Sequence, residues 1–101
     1  MSEFAFGSDP DRVIHEPARL KIMAVLSVAE SADFTYLMGE TGLTRGNLSV
    51  QLTRLQDAGY IDIRKEFVGR SPRTTAWMTT DGKVAFDAYR AYLTQLLRAT
   101  D

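Results

Sequence analysis

The chain has 101 residues, of which 45% are hydrophobic and 25% charged, and this composition suits one soluble globular domain with a modest core. It contains no cysteine, which excludes disulfides, thiolate metal sites and cysteine nucleophiles. No apolar run approaches the length of a membrane span and no charged-then-apolar leader is present, so we expect a cytoplasmic protein. We also expect no metal site and no cofactor.

Charge is unevenly distributed along the chain, although the net charge is only −1. Residues 41–80 hold six basic and three acidic residues, whereas the rest of the chain holds six basic and ten acidic residues. A local basic region on an acidic body suits a nucleic-acid face that does not bind every polyanion. The alternative is a random fluctuation in surface charge.

The first residues, 1–8, are small and polar apart from two phenylalanines. We expect a mobile arm here, unless the rings of Phe4 and Phe6 dock on another surface. Asp9 and Pro10 then predict the start of a short helix, because aspartate caps helices and proline is tolerated in the first turn.

Two further helices are predicted before residue 43. Pro17 marks the first start, and apolar residues then crowd most faces from residue 18 to about residue 29, as in a central buried helix. Residues 32–34 form a break with one apolar anchor, where we expect a very short strand. Thr35 is the candidate cap of the second helix, which Thr41 and Gly42 close.

The stretch from Leu43 to Gly59 is predicted to be an amphipathic helix that recognises DNA. Thr44 is a good N-cap, and Gly59 can adopt the left-handed conformation that ends a helix. Three leucines at spacings of four and three form one buried stripe: Leu48, Leu52 and Leu55. The opposite face is short, mostly uncharged and rich in groups that read base edges. Together with the preceding short helix and its glycine-containing turn, this is a helix-turn-helix arrangement.

A β-hairpin is predicted next. Residues 60–68 are rich in β-branched and aromatic side chains, residues 69–73 have the glycine and proline of a turn, and residues 74–78 form the second strand. The predicted turn carries an arginine on each side of its tip.

The last predicted helix runs from Thr80 to about Ala99, with Thr79 as its cap and Gly82 weakening its first turn. Its polar residues make one narrow stripe, and almost every other position is apolar. A helix that is apolar over more than half its girth needs more than one neighbour, and a second copy of the chain can supply it. Packing within its own domain is the alternative.

This order of elements predicts a single α+β domain over residues 1–101: a winged helix-turn-helix with a three-helix core, a two-stranded β-hairpin wing and a long C-terminal dimerisation helix. Residues 14–22, 43–61, 67–74 and 79–83 resemble, in the same order, the motifs of small bacterial and archaeal winged-helix repressors. The chain is similar to the MarR-like and ArsR-like branches, and this resemblance implies a dimeric repressor that binds double-stranded DNA. It departs from the metal-sensing ArsR-like pattern, because it lacks the cysteine pair and His15 is its only histidine.

In this fold the recognition helix enters the major groove, and the wing tracks the backbone or the minor groove. The residues expected to contact DNA are Thr44, Arg45, Gly46, Asn47, Ser49, Val50, Thr53, Arg54, Lys65, Arg70, Ser71 and Arg73. Asn47 can pair with adenine unless it is spent on local capping, and Val50 can contact a thymine methyl group unless it is simply exposed. Arg45 can reach a phosphate or guanine, whereas Gln51 ranks lower because it sits at the edge of the buried stripe.

Apolar residues near both ends of the chain are expected in a homodimer interface: Phe4, Phe6, Val13, Ile14, Phe86, Tyr89, Tyr92, Leu93, Leu96 and Leu97. A small-molecule effector could lodge among the aromatic rings of this set. We expect these rings to form the dimer core, and the effector stays unknown.

Two other functions were weighed against DNA binding. An enzyme needs a nucleophile and base, a metal set or a cofactor loop, and no motif for any of these is present, so we expect no enzymatic activity. A winged helix can instead serve only protein–protein contacts, but such a domain does not need arginines at the wing tip.

Overall fold

The computed structural model describes residues 9–101, and Phe4 and Phe6 therefore lie outside the described residues. Its elements are α1 (Pro17–Val28), β1 (Ala32–Asp33), α2 (Phe34–Thr41), α3 (Arg45–Asp57), β2 (Ile61–Val68), β3 (Ser71–Met78) and α4 (Thr80–Arg98). The three strands form one antiparallel sheet in the order β1-β3-β2. The predicted α+β winged helix is confirmed, and the very short strand adds a third strand to the two of the wing.

Side-chain caps begin the helices, and two of the four were predicted. Thr44 accepts a hydrogen bond from the Asn47 amide at the start of α3, and Thr79 accepts one from the Gly82 amide at the start of α4. Asp33, not Thr35, caps α2, because its carboxylate accepts from the Tyr36 amide at 2.8 Å.

The remaining cap, Glu16, begins α1 by accepting from the Arg19 amide. Burial would raise the pKa of Glu16, but hydrogen bonds from the Arg19 and Ala18 amides and the Arg19 charge together hold it below its usual value. The short helix predicted at Asp9 does not form. Instead, Asp11 accepts hydrogen bonds from the amides of residues 13 and 14, which closes a turn at that point.

The core lies where α1 meets the inner faces of α3 and the sheet. The leucine stripe of α3 is buried as predicted, with all three side chains at most 2% exposed. It packs with Ile22, Met23 and Leu26 of α1 and with Leu37 of α2. Burying each such side chain is worth roughly 1.5–3 kcal/mol, so this stripe fixes which face of α3 remains in solvent.

The wing has a shorter turn than the sequence suggested. β2 pairs with β3 from Ile61↔Met78 to Val68↔Ser71, which leaves only Gly69 and Arg70 in the turn. Gly69 has a φ of +66°, and no residue other than glycine has a positive φ in the described chain. Arg70 therefore has a negative φ, and a positive φ at the first turn position alone is the pattern of a type II′ hairpin. Pro72 is tolerated within β3 because β1 pairs only with residues 75 and 76, so no strand needs its missing amide on that side.

Three residues expected in the dimer interface belong to the core of their own chain. Ile14, Phe86 and Tyr89 are 0%, 7% and 4% exposed, so their side chains are not available to a partner and the prediction is corrected for them. Burial raises the pKa of Tyr89, whose hydroxyl lies 2.9 Å from Nδ1 of His15.

The other described residues of that set lie nearer the surface. Val13 and Leu93 are partly buried against the core, Tyr92 and Leu96 are also partly buried, and Leu97 is 62% exposed. α4 thus packs on its own domain with its first half and carries accessible apolar groups towards its end.

The junction between α3 and the wing is held by the first turn of α4. The Thr79 amide donates to the Tyr60 carbonyl at 3.0 Å, and the Thr79 hydroxyl donates to the Gly59 carbonyl at 2.6 Å. The Tyr60 hydroxyl donates to Asp11, and this hydrogen bond, aided by burial, raises the pKa of Tyr60 to about 12. A Cβ atom at Gly82 would lie 2.1 Å from the Tyr60 carbonyl oxygen, so glycine is required there by close approach.

We therefore expect Gly82→Ala to lower the free energy of unfolding by about 2 kcal/mol, because backbone must move to make room. Gly39→Ala is the matched control, since a Cβ at that helical position meets nothing within 4 Å and should stabilise the protein by about 0.5–1 kcal/mol. Urea denaturation measures both changes. Equal stability of Gly82→Ala and the wild type would show that α4 does not press on Tyr60.

Candidate nucleic-acid interface

Every residue predicted to contact DNA is exposed in the described chain. The side chains divide between three surfaces: the outer face of α3, the flank of α3 that faces the wing, and the wing itself. Val50, on the outer face, is 52% exposed, which leaves a branched apolar group in solvent. Nearby, the Thr53 hydroxyl donates to the Ser49 carbonyl at 3.1 Å, so it can only accept a further hydrogen bond.

A concave groove of about 620 Å³ separates the start of α3 from the wing. It brings together four of the predicted residues, Arg45 and Ser49 from α3 with Ser71 and Arg73 from β3. Thr35 adds a hydroxyl, and Asp33 adds a carboxylate that is already bonded to the Tyr36 amide. Two guanidinium groups and several hydroxyls on facing walls are what a phosphodiester backbone binds.

Arg45 is held at the wall of this groove by the ring of Phe34, a residue that was predicted only to be an apolar anchor. Its guanidinium carbon lies 5.4 Å from the centre of the Phe34 ring, within the range of a cation–π contact. Because Phe34 is the first residue of α2, the bracing helix places an arginine of α3. A phenylalanine just before a predicted helix gave no signal of this role, since the contact depends on the angle between the two helices.

The wing places neighbouring basic residues on opposite faces of the sheet. The Arg64 guanidinium lies 5.6 Å from the centre of the Trp77 ring, away from the groove. Lys65 pairs with Thr74 and Arg64 pairs with Thr75, so the side chains of these two basic residues lie on opposite faces of the sheet.

Arg70 and Arg73 differ in setting, although both were expected in the turn. Arg70 is the second residue of the two-residue turn and extends from the wing tip, whereas Arg73 lies within β3 opposite Glu66. Of these two arginines, Arg73 lines the groove and Arg70 does not.

No group of three or more metal-ligating side chains occurs within residues 9–101. No helix in this part of the chain is long and apolar enough to cross a membrane.

Comparison with known proteins shows the family of this chain. The family model described as winged helix DNA-binding domain matches residues 18–97, from α1 to the end of α4. The chain belongs to this family. An uncharacterized protein of Methanocaldococcus jannaschii is 32% identical over 85 residues, covering 84% of this chain and 92% of that protein.

Solved structures share the winged helix fold. A transcriptional regulator homologue from Pyrococcus horikoshii superposes with a TM-score of 0.84 at 26% identity and covers 90% of each chain. A MarR family regulator from Silicibacter pomeroyi superposes with a TM-score of 0.62 at 22% identity, over 88% of this chain and 57% of that one. The predicted winged-helix resemblance is confirmed by the family model, and solved structures described as MarR family and ArsR family regulators share the fold. This winged helix is therefore a DNA-binding protein of the transcriptional-regulator type.

The groove predicts how the wing of this winged helix contributes to affinity. Arg70→Ala and Arg73→Ala should each weaken binding to most duplex sequences and reduce the slope of log affinity against log salt concentration by about one. Fluorescence anisotropy over a salt series measures both quantities.

Arg64→Ala is the matched control, because it removes the same charge from the wing, but Arg64 does not line the groove and its guanidinium lies over the Trp77 ring. It should leave the salt slope unchanged. A slope that falls equally in all three variants would mean that only the overall charge of the wing matters and that the groove is not the contact site.

Proposed function

We propose that the chain is a dimeric, sequence-specific transcriptional repressor that binds double-stranded DNA. Each subunit places α3 in the major groove and the wing on the adjacent backbone or minor groove. The observation that carries this proposal is the groove between α3 and β3, with Arg45 and Ser49 on one wall and Ser71 and Arg73 on the other. One strand of the DNA backbone separates the major groove from the minor groove. When α3 and the wing bind the two DNA grooves at the same time, this strand lies in the groove of the protein between them.

The chemistry of the three surfaces indicates which of them supply affinity and which supplies sequence preference. Phosphate contacts position a protein on DNA, whereas contacts to base edges specify the sequence. The groove and wing tip carry the arginines, so they supply position and affinity. The outer face of α3 carries Asn47 and Val50 beside the backbone of Gly46, so it supplies sequence preference. Thr53 and Arg54 lie further along α3, where phosphates are closer than bases.

The proposal is tested by selection of bound sequences from a randomised duplex library, followed by anisotropy with the enriched duplex. We expect a pseudo-palindrome whose half-sites lie about 10–10.5 base pairs apart, because a two-fold dimer presents two copies of α3 to one face of DNA. Val50→Ala should change the preferred base at one position of each half-site. Uniform loss across all sequences would contradict base reading by Val50, and no enrichment at all would contradict sequence-specific binding.

Repression is measured separately, with the DNA upstream of the protein's own coding region as template. In vitro transcription should fall as protein is added, because a dimer on a promoter blocks polymerase. A rise in transcript would identify an activator and leave the DNA-binding proposal intact.

The dimer is supported by the end of α4. Leu97 is 62% exposed, and the partly buried Leu93, Leu96 and Tyr92 lie within the same two turns. Such a group of apolar side chains, accessible at the edge of the domain's own core, fits the isologous contact of a two-fold dimer.

Leu97→Glu should therefore shift the protein from dimer to monomer in sedimentation velocity, since a carboxylate would be buried without a partner. Val28→Glu is the control, because Val28 of α1 is 89% exposed and lies outside this group. A dimer that survives Leu97→Glu but dissociates on Val28→Glu would place the interface on α1.

A further inference from the structure

A chain of three polar side chains links α1 to the DNA-facing side of α3. Nη1 of Arg19 donates to Oε1 of Gln51 at 2.8 Å. Nε2 of Gln51 in turn donates to Oδ1 of Asn47 at 3.0 Å. Asn47 is exposed, Gln51 is half-buried, and the Arg19 side chain is only 14% exposed. This series of hydrogen bonds therefore runs from the interior to the surface proposed to read bases.

The direction of these hydrogen bonds is set by the arginine. A guanidinium group has donors and no acceptor, so the Gln51 atom that faces it must be the carbonyl oxygen. Gln51 then turns its NH₂ group towards Asn47, and a donor requires an acceptor there. Asn47 consequently turns its carbonyl oxygen inward and leaves its own NH₂ group facing outward.

Arg19 cannot easily release this arrangement, because the turn before α1 holds it. Its Nε donates to the Val13 carbonyl at 2.5 Å, and its Nη2 donates to the Arg12 carbonyl at 3.5 Å. Nη1 lies 3.8 Å from the carboxylate of Glu16, the residue that caps α1. Several partners thus fix the guanidinium before any DNA is present.

We propose that Arg19 and Gln51 are positioning residues that fix Asn47 as a hydrogen-bond donor, and that Asn47 reads a keto group of the major groove. Guanine O6 and thymine O4 are the keto groups available there. Adenine and cytosine present an amino group at the same place, which would meet a second donor. This inference rests on the proposed function and replaces the paired contact with adenine expected from sequence, because that contact needs the Asn47 carbonyl oxygen, which is turned inward to Gln51.

The decisive variant is Gln51→Glu. A carboxylate still accepts from Arg19, so this end of the chain is kept, but it has no hydrogen to donate to Asn47. Asn47 must then turn its NH₂ group inward and present its carbonyl oxygen to DNA. The preferred base at the Asn47 position should change from a keto base to an amino base, adenine or cytosine, by about tenfold in relative affinity.

Two further variants define the position and the effect of charge. Asn47→Ala identifies the position, since preference there should vanish in the wild-type and Gln51→Glu backgrounds alike. Gln56→Glu is the matched control, because Gln56 is an exposed residue of the same helix and the change adds the same charge. It should weaken binding overall without changing which bases are preferred. Sequence selection on each full-length variant, with thermal unfolding recorded in parallel, supplies the readouts.

The outcomes separate the inference from the proposed function. Absence of any sequence preference in the wild type would overturn the proposed function itself. A wild type that prefers certain sequences, with Asn47→Ala abolishing preference at one position while Gln51→Glu leaves a keto base preferred, overturns only the inference. Preference unaffected by Asn47→Ala also overturns it, whereas a keto-to-amino change confined to Gln51→Glu supports it.

Discussion

The first turn of α4 closes on the carbonyl group of Tyr60, and the arrangement of the whole interface depends on this contact. Gly59 ends α3 with a φ of +81°, and Tyr60 follows immediately before β2 begins. The Thr79 amide and hydroxyl bind the carbonyls of these two residues, and the missing side chain of Gly82 lets the turn come within contact distance. One residue therefore joins the recognition helix, the wing and the C-terminal helix. Because Tyr60 also binds Asp11 through its hydroxyl, the segment before α1 is tied to the same point.

This junction sets the width of the groove, and local contacts then set the side chains within it. Phe34 holds Arg45 at one wall, and the ladder between β2 and β3 holds Ser71 and Arg73 at the other. Arg19 fixes Gln51 and hence Asn47 on the opposite flank of α3. Groups that are already in place lose little side-chain freedom on binding, so more of their interaction energy appears as affinity. The side chains of the proposed interface are thus held in position by contacts within the protein itself.

Local sequence signals predicted the elements well, because their causes are local. The caps Thr44 and Thr79 and the leucine stripe of α3 depend on residues three or four positions apart. Predictions that needed distant contacts were less accurate. Phe86 and Tyr89 have the pattern of an external apolar face, yet they fill the core because α4 packs back on the segment before α1, where Tyr89 meets His15 across 74 positions. The hydrogen bond between Gln51 and Arg19 was not predicted for a similar reason, since the two residues lie 32 positions apart. Thr35 was predicted to cap α2, but the carboxylate of Asp33 accepts from the Tyr36 amide instead.

The distribution of charge explains why a two-fold arrangement suits this domain. The outer face of α3 offers few cations, and the groove that Arg45 and Arg73 line is also lined by a carboxylate, that of Asp33. Each subunit of the proposed dimer would therefore neutralise few phosphates, and the salt-dependent part of its binding would be small. Outside residues 41–80 the chain has six basic and ten acidic residues, and this excess of negative charge would repel DNA away from the proposed interface. Two linked copies would double the phosphate contacts and turn the second binding step into an intramolecular one. A weakly charged subunit can then bind its own site tightly while a single copy binds other DNA poorly, which is the property a specific regulator needs.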